Sequence, residues 1–129
     1  MKFGYCIENF DVHLSPEKLV ETAKILEKNN FDSLWVTDHI MQKRGSRLPI
    51  YDNITEAITT LAFLIGHTSS IKLGVSTLVL PIRNPILVAK QLATVDYLSN
   101  GRLVSSFAVG WNHEEFKILN QTFKDRGKR

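Results

Sequence analysis

Cysteine is almost absent from this chain. Cys6 stands alone among 129 residues, so no internal disulfide can hold the fold. That usage fits a reducing cytosol. Long hydrophobic runs are missing as well: no stretch approaches the ~20 apolar residues of a membrane span. The opening Met1-Lys2-Phe3-Gly4 leads straight into an apolar segment without a cleavable signal pattern. The expectation is a cytoplasmic protein with no membrane partner. Common fingerprints are also lacking. There is no G-x-G-x-x-G and no Walker loop, and no G-x-S-x-G elbow for a serine hydrolase. No base stands beside Cys6 in the sequence for thiol catalysis. No His, Cys or acid has ligand spacing to Asp38 and His39, and adjacent side chains diverge, so no metal is expected.

The net charge of +3 does not make a nucleic-acid surface. Residues 117–129 carry five cations against Asp125, a balance of +4, which leaves −1 for the first 116 residues. The basic excess is thus a short tail. No arginine-rich helix or basic–aromatic interleaving accompanies it, and nucleic acid is not an expected partner.

What the chain does contain is an alternation. Four β-like runs fall at about 2–7, 33–37, 72–79 and 102–109, with helical patterns between them. Ser15-Pro16 reads as an N-cap followed by proline at the first helical position. Leu19, Val20, Ala23 and Leu26 then share an apolar face that should end near Asn29-Asn30. A second helix is predicted over 54–67 from Ile54, Ile58, Leu61 and Ile65, with His67 in its last turn. A third opens at Asn84-Pro85 and closes at Asn100-Gly101. A fourth could begin over 114–119. Strand starts lie about 30–40 residues apart, the length of a βαβ unit. The fold class is therefore α/β, a parallel sheet with helices packed on it. Met41 to Asn53 is the one long connection and reads as an exposed loop.

In parallel sheets, open or closed, ligands sit at the carboxyl ends of the strands. Those ends carry Glu8-Asn9, Thr37-Asp38-His39, Ser76-Thr77 and Gly110-Trp111-Asn112. Polar groups recur at every one. His39 could work beside a reacting group or simply be hydrogen-bonded in a loop. Asp38 could orient His39 or accept a backbone N–H. Ser76-Thr77 could be two polar residues on one sheet face. Trp111 could stack on a ligand or lie buried beneath the last helix. Arg83, near a helix start, would suit an anion. Cys6 reads as a core residue midway along an apolar strand.

Four segments together carry a family resemblance: FDSLWVTDHI (31–40), LAFLIGHTSSIKLGVSTLVLPIRNP (61–85), AKQLATVDYLSNGRL (89–103), and VGWNHEEF with FKDRGKR (109–129). They resemble the luciferase-like monooxygenase family, and within it the oxidoreductases that use the deazaflavin coenzyme F420. The resemblance implies half of a (β/α)8 TIM barrel: one domain over residues 1–129, truncated after four βα units where a full barrel needs ~250 residues. It implies coenzyme F420, with FMN as the alternative, and hydride transfer or monooxygenation of a small organic substrate. His39 would stand beside the reactive ring, with Asp38 its neighbour. Ser76-Thr77 would hold a non-proline cis peptide whose bulge supports the ring, and Gly110, Trp111 and Asn112 would form the turn after the fourth strand. Some relatives carry a glutamate acid near the position of His113. Here Glu114 and Glu115 follow that histidine, and the proton donor is unassigned. A bare inner sheet face and two open edges imply a homodimer or higher homo-oligomer. The competing readings are a non-catalytic half-barrel serving as an oligomerising or structural module, and a flavodoxin-like binding domain.

Overall fold

A computed structural model describes residues 1–42 and 53–128. Among the described residues four strands and four helices alternate. The strands are β1 (Gly4–Cys6), β2 (Ser33–Val36), β3 (Lys72–Val79) and β4 (Leu103–Ala108). All pair in parallel, in the order β1-β2-β3-β4. The helices are α1 (Pro16–Lys28), α2 (Ala57–Ile65), α3 (Pro85–Leu98) and α4 (His113–Ile118). A short 3-10 turn, Leu80–Ile82, links β3 to α3. Among the described residues no helix is long and apolar enough to cross a membrane.

The two proline-marked starts form as local chemistry dictates. The Ser15 hydroxyl accepts from the Lys18 N–H at 3.2 Å, and Pro16 opens α1. The Asn84 side chain accepts from the Ile86 and Leu87 N–H groups at 3.0 and 3.2 Å, and Pro85 opens α3. At the close of α3, Asn100 and Gly101 take φ of 57° and 74°, the left-handed values that end a helix.

α2 departs from the expected 54–67. It begins at Ala57, capped by Glu56, whose carboxylate accepts from the Ile58 and Thr59 N–H groups. Ile54 instead forms an isolated antiparallel bridge with Phe10. His67 lies past the end of the helix, where its ring meets Phe63 with centroids 4.8 Å apart. Of the predicted exposed loop, residues 43–52 lie outside the described residues.

One sheet face is covered. Leu34, Val36, Leu73, Val75 and Leu78 pack against Leu19, Ala23 and Leu26 of α1, Ala57, Ile58, Leu61 and Leu64 of α2, and Val88 and Val95 of α3. The opposite face carries Cys6, Trp35 and Gly74 in one cross-strand row. Cys6 is exposed on that face, not in the core as expected. Its alternation was legible, but no helix covers its side of the sheet. The Trp35 indole lies across the same row. A β-carbon on Gly74 would come within 2.5 Å of the ring, and one on Gly4 within 2.7 Å of its Nε1. Glycine at both positions makes room for the indole to lie flat.

At the opposite end from the site, Arg102 ties three elements together. Its guanidinium donates to the carbonyls of Ile65, Thr68, Ile71 and Ser99 and to the Thr68 hydroxyl, at 2.8–3.2 Å. It thereby satisfies carbonyls left open around the end of α2.

Candidate functional site

The carboxyl ends of β1 and β2 are held together by one buried side chain. Asn9 is wholly buried. Its amide nitrogen donates to the Thr37 and Thr55 carbonyls at 3.0 and 3.2 Å. Its amide oxygen accepts from the Thr37 N–H and hydroxyl at 2.9 and 2.8 Å. The ends of β1 and β2 and the approach to α2 are thereby locked together. Fixing Thr37 fixes the direction in which Asp38 and His39 leave the strand.

Asp38 and His39 then diverge to different partners. The Asp38 carboxylate accepts from the Val79 N–H at 2.8 Å and from the Arg83 guanidinium. Arg83 also donates to Glu56 at 3.0 Å, so it bridges two carboxylates. That engagement is a structural one, and the anion-binding reading of Arg83 does not fit two carboxylates already on it. Burial pushes the Asp38 carboxyl above its ordinary value, against the opposing pull of Arg83.

His39 is also buried. Its Nδ1 lies 2.9 Å from Glu115 Oε2. The other carboxylate oxygen of Glu115 accepts from the N–H groups of Ile40 and Met41 at 2.7 and 3.2 Å. Glu115 comes from α4, whose start is capped by Asn112 accepting from the Glu115 N–H at 3.4 Å. The Trp111 ring stands edge-on to the His39 ring, with centroids 5.8 Å apart at 86°. Trp111 is 62% exposed and so is not buried beneath α4.

Gly110 makes this turn possible. Its φ is +79°, and a β-carbon there would lie 2.6 Å from Val79 Cγ1 and 2.9 Å from Phe116 Cε2. Its carbonyl accepts from Arg126 Nε at 3.0 Å, and the Arg126 guanidinium lies 3.7 Å from the centre of the Phe123 ring. The basic tail is therefore packed, at this residue, under the turn that presents Trp111.

On β3 the Ser76–Thr77 peptide is cis. Pairing with β4 slips between Val75 and Leu78. Ser76 and Thr77 are consecutive and both exposed, whereas regular alternation would bury one. The strand bulges and offers two hydroxyl side chains on its bare side. His39, the bulge and Trp111 thus belong to three neighbouring strands, β2, β3 and β4, toward their carboxyl ends. Among the described residues, no group of three or more His, Cys, Asp or Glu could hold a metal ion.

Of the expected residues, His39, Trp111 and Asn112 meet directly or through Glu115. Asp38 belongs to a separate ion-pair network. The sequence marks Asn9 only as a polar residue at a strand end, and Glu115 only as following His113. Their partners have no local signal, because they lie 28 to 76 positions away.

A family model described as luciferase-like monooxygenase matches residues 1–129. The chain belongs to that family. An F420-dependent glucose-6-phosphate dehydrogenase from Amycolatopsis mediterranei is 31% identical over 137 residues, covering 100% of this chain and 38% of the relative. The coenzyme F420 dependent tetrahydromethanopterin reductase of Methanopyrus kandleri superposes with a TM-score of 0.72 at 26% identity, covering 95% of this chain and 30% of that one. An FMN-complexed Baeyer–Villiger monooxygenase component from Pseudomonas putida superposes with a TM-score of 0.80 at 16% identity, covering 99% and 36%. At that identity the likeness carries the fold alone. The luciferase-like chain spans well under half the length of these relatives. Its four parallel βα units are the N-terminal part of the family's barrel.

Proposed function

We propose that this chain supplies the ring-binding side of an F420-dependent oxidoreductase that acts on a small organic substrate, and that it works as an assembly of at least two copies. The observation that carries this reading is the contact of His39 with Trp111 beyond the ends of β2 and β4, with the Ser76–Thr77 bulge on β3, the strand between them. The residues present suit a flat polar ring. Ser76 and Thr77 offer hydroxyls from one side, and the exposed indole of Trp111 offers an aromatic edge. The His39 ring lies beside that indole. Asn112 caps the helix that carries Glu115. The bound deazaflavin would supply the hydride chemistry; the protein's share is orientation and proton handling. His39 would hydrogen-bond the ring or substrate and take up charge as it develops. Asp38 would hold the strand end in place through Val79 and Arg83.

F420 is favoured over FMN by the two F420-dependent relatives, both above 25% identity, whereas the FMN-bound neighbour is at 16%. Assembly is supported by the uncovered sheet face and the open edges of β1 and β4. Titrating the purified chain with F420 and separately with FMN, followed by cofactor fluorescence, tests the proposal. Saturable binding of F420, weakened by Trp111→Ala, is expected. Saturable binding of FMN alone would move the chain to the monooxygenase side of the family. Binding of neither would leave the non-catalytic half-barrel as the better reading.

A further inference from the structure

The Glu115 carboxylate is 2% exposed, and its two oxygens have different duties. Oε1 accepts from two backbone donors, the N–H groups of Ile40 and Met41. Oε2 faces His39 Nδ1 at 2.9 Å. An ionised carboxylate has no proton to give, so a hydrogen bond at that distance needs the proton on Nδ1. The other neutral tautomer would set two lone pairs against each other.

We propose that Glu115 is a positioning residue that fixes neutral His39 as the Nδ1–H tautomer, so that Nε2 is the proton-accepting atom of the ring. The functional weight of this rests on His39 being the ring-side group argued above; the tautomer itself does not. A carboxylate that merely stapled residues 40–41 to α4 would leave the imidazole indifferent.

Glu115→Gln separates the two roles. The glutamine carbonyl can accept from both Ile40 and Met41, as Oε1 does now. Turning the amide over would instead aim its NH2 at two N–H donors, so that orientation is disfavoured. The NH2 group must then face Nδ1 and donate to it. Nδ1 becomes an acceptor, the proton moves to Nε2, and Nε2 changes from acceptor to donor. The staple survives while the tautomer inverts.

The readout is 15N NMR of histidine-labelled protein, at a pH above the ordinary histidine range, with His39 assigned by loss of its signals in His39→Asn. The wild-type ring is expected to show a protonated Nδ1 and an unprotonated Nε2, and Glu115→Gln the reverse, with backbone amide spectra otherwise matching. A wild-type ring protonated on Nε2 overturns the proposal, even if the variant fails to fold. The same tautomer in both proteins overturns it too. No cofactor enters this measurement. An Nδ1–H wild-type ring without F420 binding would therefore leave the positioning role standing and sink the functional reading.

Discussion

Arg83 shows how much a single side chain holds at the rim of the site. Its guanidinium sits between Asp38, whose side chain is 0% exposed, and Glu56, which caps α2. A buried ion pair is not strongly stabilising against a well-packed apolar pair, but breaking one by removing one partner is costly, because the other charge stays buried. Arg83→Met keeps most of the side-chain volume and strands the Asp38 carboxylate. We expect it to destabilise the fold by about 3–5 kcal/mol. In urea unfolding the midpoint should fall with little change in slope. Adding Asp38→Asn in the same chain should recover part of the loss, because an amide is far cheaper to leave without a cation. A midpoint that stays put in Arg83→Met would mean that solvent already serves these carboxylates.

Between elements, the stitch between α1 and the start of β3 is a single carboxylate oxygen. Glu27, in the last turn of α1, accepts from the N–H groups of Ser69, Ser70 and Ile71 at 2.8, 2.6 and 3.0 Å and from the Ser70 hydroxyl at 3.0 Å. Partial burial works to raise its pKa. The donors from Ile71, Ser70 and Ser69 outweigh that and bring it down from 4.5 to about 2. The folded value is depressed, so the unfolded chain binds the proton first as the pH drops. The contribution of Glu27 is then fully present above about pH 4.5 and is lost as the pH falls toward about 2. Thermal melts of wild type and Glu27→Gln should therefore differ most near neutrality and converge in acid. A difference that stays constant down to the acid limit would remove this carboxylate from the pH dependence.

The same scale shows what could be read in advance. α1 and α3 start where Ser15-Pro16 and Asn84-Pro85 announce them, because cap and proline act within one turn. α2 starts three residues later than its apolar spacing suggests. Glutamate is not a usual cap, and Ile54 fits the helical face while belonging to a bridge. The strand ends carry polar groups, as their sequence shows, and His39 and Trp111 meet beyond two of them. Glu115 stands beside Glu114 with nothing local to choose between them, because its burial against His39 is set by contacts 76 positions away. Cys6 was misread for a related reason. Alternation shows which residues share a face, and only the tertiary arrangement shows which face is covered.

For the molecule as a whole, the unbalanced sheet is the decisive feature. Parallel sheets occur almost only with both faces covered. Here three helices cover one face, while the other presents exposed Cys6, Ser76 and Thr77 and a half-buried Trp35. Among the described residues both outer strands have an unpaired edge, β1 on one side and β4 on the other. In a second copy the same parallel edges recur, so β4 of one could lie beside β1 of the other without reversing direction. Symmetry would then place the two bare faces toward each other, in an isologous contact. Sedimentation velocity is expected to show a dimer or larger assembly at micromolar concentration. Cys6 reports on the same event independently. Its thiol stands on the face that would be covered, so labelling by a maleimide should slow as concentration rises and the assembly forms. A stable monomer with Cys6 labelled at one rate across the whole range would sink the assembly.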